Sequence, residues 1–476
     1  MRLFRKLLVY FLYSPYEIDL TMIPRDITVQ LSDFIDSERF SVNESDLKSV
    51  ACDESSLDQR IPSLLVYPVT SEEVSKLVIL AYAYEIKITA RGSGTSLEGN
   101  SIPEAGGMVL DLSRMNRIIE IREDDLQVTV EPGIIYNNLN ESLKEYGLFF
   151  PPSPGGSSGT ATIGGMVSTN ASGIYSVKYG GTRESILKVK VVTGTGEILE
   201  FGNHCFKSSS GYHMVGLICG SEGTLAIVTE ITLRLKGIPE NYDRFAYSFS
   251  EELQAVSAIS EMMKYALDIA ALEYLDRYCI ESLNQLKSYG LEEKPVVFFE
   301  LQGSECTIKE TKDYIHAISK DYGGQIMTLT REENPWEIRQ HTTTAISHRK
   351  KGTRIIRNDI AFPISKLPDI VEKCYQKAKN GGLMVHTFGH VGLGILHVLC
   401  LADPNNPEEW AKAEAFNKEI IEYAIEVGGS TSGEHGIGLS LKPYMEKEHG
   451  MALEMMKSIK KLFDPKNILN PSKIFP

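Results

Sequence analysis

A chain of 476 residues with 42 % hydrophobic and 24 % charged residues is long enough for two or three structural units and apolar enough for a real core. The formal net charge of −14 argues against a nucleic-acid-binding protein, because phosphate binding needs a basic surface. The seven scattered cysteines form no CxxC pair, which excludes an obvious iron–sulfur or zinc-ribbon module and fits a reducing compartment.

A basic and apolar segment opens the chain. Arg2, Arg5 and Lys6 precede an apolar run at residues 7–13 that is far too short to span a bilayer and lacks a small-residue cleavage site. The segment predicts a terminal helix that either packs on the body of the protein or lies on a membrane surface. We therefore expect a cytoplasmic protein, at most peripheral to the inner face of a membrane.

The first half of the chain then alternates helices and strands. Thr70 and Glu73 form a capping box in front of a helix whose apolar face includes Val74, Leu77 and Ala81. A second helix, at 135–146, ends at Gly147, a residue suited to the left-handed conformation after a helix. Strands are predicted at 86–89, 108–112, 118–121, 127–131, 187–193, 197–201 and 225–235.

Residues 153–173 are unusually rich in small residues, since fourteen of these 21 are Gly, Ser or Thr. Such a composition would suit a flexible linker. However, Ile163, Met166 and Val167 interrupt the run, and strong strands follow it. The segment is better interpreted as backbone that is brought close to a ligand.

The second half predicts an α+β layer with helices over a sheet. Helices are expected near 251–266, 306–319, 333–346 and 407–427, and strands near 271–275, 295–301 and 325–329. We expect four parts: an N-terminal helical segment at 1–60, a ligand-binding domain at 61–238, a substrate-binding cap at 239–428, and a C-terminal segment at 429–476 that completes the site.

Two glycine-rich stretches, about 60 residues apart, carry the first chemical signal. The run 91–96 (RGSGTS) follows a strand, as a phosphate-binding loop should, but it is neither a GxGxxG fingerprint nor a Walker loop. It resembles the pyrophosphate loop of the vanillyl-alcohol oxidase/p-cresol methylhydroxylase flavoproteins. The rest of that family's pattern follows in order at 151–154 (PPSP), 162–165 (TIGG), 170–173 (NASG), 178–180 (KYG) and 220–225 (GSEGTL).

The resemblance implies an α+β fold with a two-part FAD-binding domain and a cap domain built on a central antiparallel sheet. It also implies FAD as the cofactor. Residues 91–100 contain no His or Cys, so we expect dissociable rather than covalent FAD. By resemblance, the cofactor-binding residues are Arg91, Gly92, Ser93, Gly94, Thr95, Ser96, Pro152, Gly159, Thr162, Gly164, Gly165, Asn170, Gly173, Tyr179, Glu222, Gly223, Ile227, Val228 and Asn470.

A histidine pattern in the second half carries the other signal. His390 and His397 flank a glycine-containing turn, and Glu434 and His435 are adjacent. Two histidines and a carboxylate are a common set for a catalytic divalent metal, although histidine pairs in apolar strands also occur as core or surface residues. The residues alone leave both interpretations open.

The pattern resembles the D-2-hydroxyacid dehydrogenase branch of the family. The resemblance assigns His390, His397 and Glu434 to a divalent metal, typically zinc, and His435 to proton abstraction. Arg339, Thr343 and Arg357 would bind the substrate carboxylate, for which arginine offers a planar, bidentate fork.

Two departures from the branch concern the pocket. Leu393 and Ile395 stand where relatives usually have Asp and Asn, and Leu399 stands where some have a polar residue. The apolar replacements disfavour a substrate with a second carboxylate, such as hydroxyglutarate.

The leading hypothesis is therefore an FAD-dependent dehydrogenase of a D-lactate-like or glycolate-like acid. A flavin transferase of the alkyl-dihydroxyacetonephosphate synthase type and a non-catalytic flavin subunit are the alternatives. We expect a small anionic substrate and a quinone or protein electron acceptor; a homodimer is left open.

Overall fold

The computed structural model of the protein describes residues 25–327 and 335–476. The predicted N-terminal helix at 7–13, and with it the membrane contact, lies outside the described residues. In these two ranges, no helix combines the length and the apolar character that crossing a bilayer requires.

The first sheet has parallel strands at its centre and the order β1-β2-β4-β3. The Thr70 hydroxyl accepts the Glu73 N–H at 3.1 Å, as predicted, but the Glu73 carboxylate pairs with Arg39 and the Val69 N–H rather than completing the capping box. The elements are α1 (Arg25–Leu31), β1 (Phe40–Ser41), α2 (Glu44–Ser49), β2 (Leu64–Val66), α3 (Ser71–Tyr84), β3 (Ile88–Arg91) and β4 (Met108–Asp111).

A second, antiparallel sheet has the order β5-β6-β10-β8-β9, and β7 and β11 pair separately. The small-residue segment 153–173 is not a linker, because it contains a short helix whose Ile163, Met166 and Val167 are buried. The elements are β5 (Ile118–Arg122), β6 (Gln127–Val130), α4 (Tyr136–Leu143), β7 (Leu148–Phe149), α5 (Ile163–Thr169), α6 (Ser176–Tyr179), β8 (Ile186–Thr193), β9 (Ile198–Gly202), α7 (Met214–Ile218), β10 (Ala226–Arg234) and β11 (Lys236–Gly237).

The third sheet is entirely antiparallel and, within the described residues, has seven strands in the order β15-β12-β14-β13-β17-β18-β16. The single helix predicted at 333–346 is instead two short helices that meet at His341. The elements are β12 (Asn241–Ser248), α8 (Glu252–Met262), β13 (Ile269–Leu275), α9 (Arg277–Leu286), β14 (Val296–Gly303), α10 (Glu305–Asp321), β15 (Gln325–Met327), α11 (Pro335–Gln340), α12 (Thr342–His348), β16 (Arg354–Ala361), α13 (Leu367–Gly381), β17 (Met384–Gly389), β18 (Ile395–Ala402) and α14 (Pro407–Glu426).

The two faces of this sheet differ in chemistry because successive strand residues point to opposite sides. One face packs apolar side chains such as Ile360, Leu396 and Val398 against a core that also includes residues of α8, α13 and α14. The positions between them, Asp359 and His397, lie opposite each other in register on β16 and β18. This second face therefore presents charged groups, and we call it the charged face of the cap sheet.

The C-terminal segment returns to the first sheet after α15 (Met445–His449) and α16 (Ala452–Phe463). The Ile88 N–H donates to the Ile468 carbonyl at 2.7 Å, and the Asn470 N–H donates to the Ile88 carbonyl at 2.7 Å. The buried Lys460 ammonium donates to the carbonyls of Thr224 and Leu469. These contacts hold Asn470 beside the glycine run that follows β3.

Candidate active site

One deep cleft joins the glycine-rich loops to the histidine motif. It has an empty volume of about 1210 Å³, including the part open to solvent. Both Glu434 and His435 line it, together with three stretches of the first half of the chain. The predicted cofactor residues that line it are Arg91, Gly92, Ser93, Gly94, Thr95, Ser96, Thr162, Gly164, Gly165, Glu222, Gly223, Ile227, Val228 and Asn470.

The glycines of the cleft are required by close contacts between loops. A Cβ on Gly92 would lie 2.3 Å from the Thr162 hydroxyl oxygen. A Cβ on Gly223, whose φ is +66°, would lie 2.9 Å from the Asn470 amide nitrogen. Each of these two contacts therefore joins two segments at a distance that a side chain would prevent, and backbone that is bare in this way can approach a bound anion closely.

Five predicted cofactor residues do not line the cleft: Pro152, Gly159, Asn170, Gly173 and Tyr179. A Cβ on Gly173 would lie 1.4 Å from the Ser153 carbonyl oxygen, so this glycine serves loop packing. The Asn170 side chain accepts the Arg183 N–H at 3.0 Å, and the Tyr179 hydroxyl donates to Gln302 at 2.6 Å.

Glu222 links the two halves of the site. Its buried carboxylate accepts the N–H groups of Ile437 at 2.6 Å and Gly438 at 2.8 Å, and also the Asn100 side chain at 2.6 Å. Burial raises the pKa of this carboxyl, while the two N–H donors oppose that rise. The segment after His435 is thereby fixed to the loop at 220–225.

The histidine motif converges on one carboxylate oxygen. Oε1 of Glu434 lies 3.3 Å from His390 Nε2, 3.5 Å from His397 Nε2 and 4.0 Å from His435 Nε2. The rings of His397 and His435 are stacked, with centroids 5.4 Å apart. The structure thus brings the four predicted metal and base residues together.

Two of these histidines turn their other ring nitrogen to a buried carboxylate that the sequence did not single out. His390 Nδ1 lies 2.5 Å from Glu273, and His397 Nδ1 lies 3.2 Å from Asp359. For Glu273, the available sequence signal was a charged residue inside an otherwise apolar strand, which is rare unless the charge is paired.

The charges of the cluster shift one another strongly. Burial alone lowers the pKa of His390, but Glu273 and Glu434 outweigh it and raise the pKa to about 10. Burial raises the pKa of Glu434, but His390 outweighs it and lowers the pKa to about 2. Burial lowers the pKa of His435, which favours its neutral form.

Two overlapping sets of side chains could hold a metal. The predicted set is His390, His397 and Glu434. Within the described residues, the set whose ligand atoms all lie within 4.8 Å of one another is instead Asp359, His397, Glu434 and His435. We favour the predicted set, because Asp359 already accepts backbone N–H groups and His390 Nε2 is directed at Glu434.

The three predicted carboxylate-binding residues have different environments. The Arg339 guanidinium is buried, donates to Glu273 at 2.7 Å and lies over the Phe388 ring. Thr343 is exposed and belongs to α12, so it does not follow Arg339 on one continuous helix as predicted. The Arg357 guanidinium makes no hydrogen bond or ion pair with any other described residue, and burial lowers its pKa.

In a comparison with known proteins, the two halves of the chain match two different families. Residues 62–202 match the family described as FAD binding domain, and residues 238–474 match FAD linked oxidases, C-terminal domain. The mitochondrial D-lactate dehydrogenase (cytochrome) of Arabidopsis thaliana is 34 % identical over 87 % of this chain and 74 % of its own length. Glycolate oxidase subunit GlcD of Bacillus subtilis (strain 168) is 33 % identical over 95 % of this chain and 97 % of its own length.

Solved structures agree on the fold. p-Cresol methylhydroxylase with substrate bound has a TM-score of 0.78 at 17 % identity, over 95 % of this chain and 97 % of that chain. Alkyldihydroxyacetonephosphate synthase has a TM-score of 0.76 at 18 % identity, over 96 % of this chain and 86 % of that chain. These structures confirm the predicted fold class, and the two family matches confirm FAD as the cofactor.

Proposed function

The chain belongs to the FAD-linked oxidase family, and from this premise we propose that it is an FAD-dependent dehydrogenase that oxidises a D-2-hydroxy acid to the 2-oxo acid. The observation that carries the proposal is the cleft that joins the glycine-rich loops to Glu434 and His435. The similarity to enzymes named D-lactate dehydrogenase and glycolate oxidase supports the substrate class.

The cleft suits a dissociable FAD. The close approach of Gly92 to Thr162 and of Gly223 to Asn470 makes a cradle that any Cβ would fill. Residues 91–100 offer no His or Cys for covalent attachment. When bound, FAD supplies the acceptor for the hydride that leaves the substrate carbon.

We propose that His390, His397 and Glu434 hold a divalent metal, with zinc favoured by the mixed nitrogen and oxygen donors. The side chains fit such an ion: Nε2 of both histidines faces Glu434, and Nδ1 of each faces another carboxylate. The buried carboxylates Glu273 and Asp359 also bring negative charge that a cation would balance. The ion would supply Lewis-acid polarisation of the substrate hydroxyl.

The remaining steps fall to side chains of this chain. Neutral His435 accepts the proton of the substrate hydroxyl, since burial holds its pKa below the ordinary value. Arg357 binds the substrate carboxylate, because its guanidinium makes no hydrogen bond or ion pair with the described residues, although the charges of Glu98 and Glu54 act on it. Arg339, already bound to Glu273 through Nε, would add its remaining N–H groups.

The apolar side chains beside the site favour a small substrate. Ile395 packs so closely on Gly433 that a Cβ there would lie 2.8 Å from the Ile395 side chain. Leu399 is buried and lies opposite Arg357 in register. Such surroundings suit the methyl group of D-lactate or the hydrogen of glycolate better than a second carboxylate.

An anaerobic substrate panel tests the proposal. The FAD-loaded protein is mixed with D-lactate, glycolate and D-2-hydroxyglutarate, with L-lactate as the control of opposite chirality, and the flavin absorbance is followed. We expect D-lactate or glycolate to bleach the flavin and L-lactate to leave it oxidised. Flavin that stays oxidised with every acid contradicts the proposal and favours a flavin transferase or a non-catalytic subunit. Addition of a quinone or an electron-carrier protein to the reduced protein then tests the proposed acceptors.

A further inference from the structure

Asp359 is a buried carboxylate beside two of the three histidines of the site, His397 and His435. It lies near the end of β16, is fully buried, and is in register with His397 of β18. A bridge between Asp359 and Ser432 also brings the segment before Glu434 alongside β16. The carboxylate therefore stands between the cap sheet and the C-terminal segment.

One oxygen of Asp359 collects four donors from that segment. Oδ2 accepts the N–H groups of Glu434 at 2.7 Å, His435 at 2.9 Å and Gly433 at 3.1 Å, and it lies 3.3 Å from the Ser432 hydroxyl. Three consecutive N–H groups on one oxygen leave the backbone of this turn little freedom. The Cα positions from which the Glu434 and His435 side chains start are thereby fixed relative to the cap sheet.

The other oxygen of Asp359 faces an imidazole. Oδ1 lies 3.2 Å from His397 Nδ1, within ion-pair distance, and neither atom has a hydrogen-bond partner among the described residues. A proton on Nδ1 would lie beside this carboxylate and would leave the lone pair on Nε2, 3.5 Å from Glu434. Such an outer carboxylate selects the tautomer and ring orientation of a metal-binding histidine.

We propose that Asp359 is a positioning residue for both the metal-binding and the proton-abstracting groups. One of its oxygens holds the turn at 433–435, and the other orients His397. The inference rests on the proposed function for the roles of His397, Glu434 and His435. Asp359 does not contact the substrate. Its effect passes through the residues that it orients.

Asp359→Asn in the FAD-loaded protein tests this assignment, because the amide keeps the shape and removes one acceptor and the charge. We expect the zinc dissociation constant, measured by competition with a chelator, to rise about 10- to 100-fold, the usual effect of losing such an outer partner. With D-lactate we expect kcat to fall more than KM rises, and the absorbance spectrum of bound FAD to stay unchanged. A variant with native zinc affinity and native kcat overturns the assignment.

Asp276→Asn is the matched control. Asp276 is equally buried and accepts the N–H groups of Cys279 at 2.7 Å and Thr387 at 2.6 Å, but it makes no contact with the histidine cluster. We expect it to lower thermal stability and to leave zinc affinity unchanged. Equal losses of zinc affinity in both variants would show a general effect of a lost buried charge and contradict the specific role.

A measurement on the unaltered protein tests the inference even where the Asp359→Asn variant fails to fold. Nitrogen-15 NMR of histidine-labelled protein, with the His397 signal assigned by its loss in His397→Asn, should show the proton on Nδ1. A His397 ring without a proton on Nδ1 in the zinc-free protein overturns the inference. If no hydroxy acid reduces the flavin, the proposed function fails, while the zinc and NMR comparisons still decide whether Asp359 orients His397.

Discussion

The cofactor cleft and the charged face of the cap sheet are built from different kinds of chemical group. In the cleft, Gly92 and Gly223 let loops approach Thr162 and Asn470 at distances that no side chain would permit. Small residues (Gly, Ala, Ser and Thr) make up most of the lining of the cleft, so that its backbone can come close to a ligand. On the charged face, fully buried carboxylates hold histidines and arginines in place.

The two sites should therefore respond differently to substitution. A site made of backbone tolerates changes of charge nearby but not an added methyl group where two loops meet. A site made of paired buried charges tolerates little change of charge, because the partner left behind is desolvated and uncompensated. Added volume should therefore impair the cofactor cleft, and altered charge should impair the charged face.

The largest effect is expected from His435→Ala. Loss of a general base costs about 10²- to 10⁴-fold in rate, and the substitution leaves the glycine-rich loops untouched. We expect reduction of the flavin by D-lactate to slow by that factor in stopped flow, with FAD still bound and yellow. His348→Ala, an exposed histidine of α12, is the control and should reduce at the native rate. A His435→Ala variant that also reduces at the native rate would remove His435 from the chemistry.

The second test adds volume to the cleft without changing charge. Gly92→Ala places a methyl group 2.3 Å from the Thr162 hydroxyl oxygen, so the two loops must separate. Overpacking of this kind costs about 1–3 kcal/mol, and we expect FAD affinity, measured by fluorescence titration, to fall about 10-fold or more. Gly237→Ala is the control, since nothing lies within 4 Å of a Cβ there. Equal FAD affinity in the two variants would contradict the backbone cradle.

The third test changes charge without changing shape. Glu273→Gln weakens the contacts of one carboxylate with His390 Nδ1 at 2.5 Å and with Arg339 Nε at 2.7 Å. We expect zinc affinity to fall about 10- to 100-fold and KM for D-lactate to rise. FAD affinity should stay native, which would be the reverse of the Gly92→Ala result.

Glu300→Gln is the control for this third test. Glu300 is another buried glutamate of the cap sheet, but it binds Arg244 and Trp336 rather than a histidine. Its zinc affinity should equal that of the unaltered protein. If Glu300→Gln and Glu273→Gln lower the zinc affinity equally, the contact between Glu273 and His390 does not account for the loss.

The same contrast explains what could be predicted from the sequence. The loop at 91–96 was recognisable because a backbone site requires particular residues at consecutive positions. The helix after Thr70 was recognisable for a similar reason, since its cap and its apolar period are local. Its Glu73 nevertheless bonds Arg39, a partner 34 residues away that no local rule supplies.

The carboxylates of the charged face could not be predicted in the same way. Glu273 and His390 meet because β13 pairs with β17, and Asp359 and His397 meet because β16 pairs with β18. Strand order and register depend on the whole cap sheet, and four of its strands were not anticipated. Gly173 was attributed to the cofactor by resemblance, and the structure adds a packing reason for this glycine that the sequence did not reveal, namely the nearby Ser153 carbonyl.

The smallest effect is expected where the two regions meet, at Glu98. This buried carboxyl accepts the Ser440 hydroxyl and lies 3.9 Å from His435 Nδ1, and burial raises its pKa from 4.5 to about 8. The folded state therefore keeps a proton that the unfolded chain releases above its ordinary pKa. The free energy of unfolding should then fall as the pH rises from about 5 to 8, because the unfolded state binds fewer protons in that window.

Glu98→Gln removes this titration. In saturating FAD, we expect its Tm advantage over the unaltered protein to be absent near pH 4 and to grow to a few degrees by pH 8, since about 1 kcal/mol shifts Tm by roughly 2–4 °C in domains of 150–250 residues. Glu293→Gln, an exposed glutamate, should follow the unaltered protein at every pH. A Tm difference for Glu98→Gln that does not change with pH would mean that Glu98 is ionised like Glu434, and that the charged face extends into the cofactor cleft.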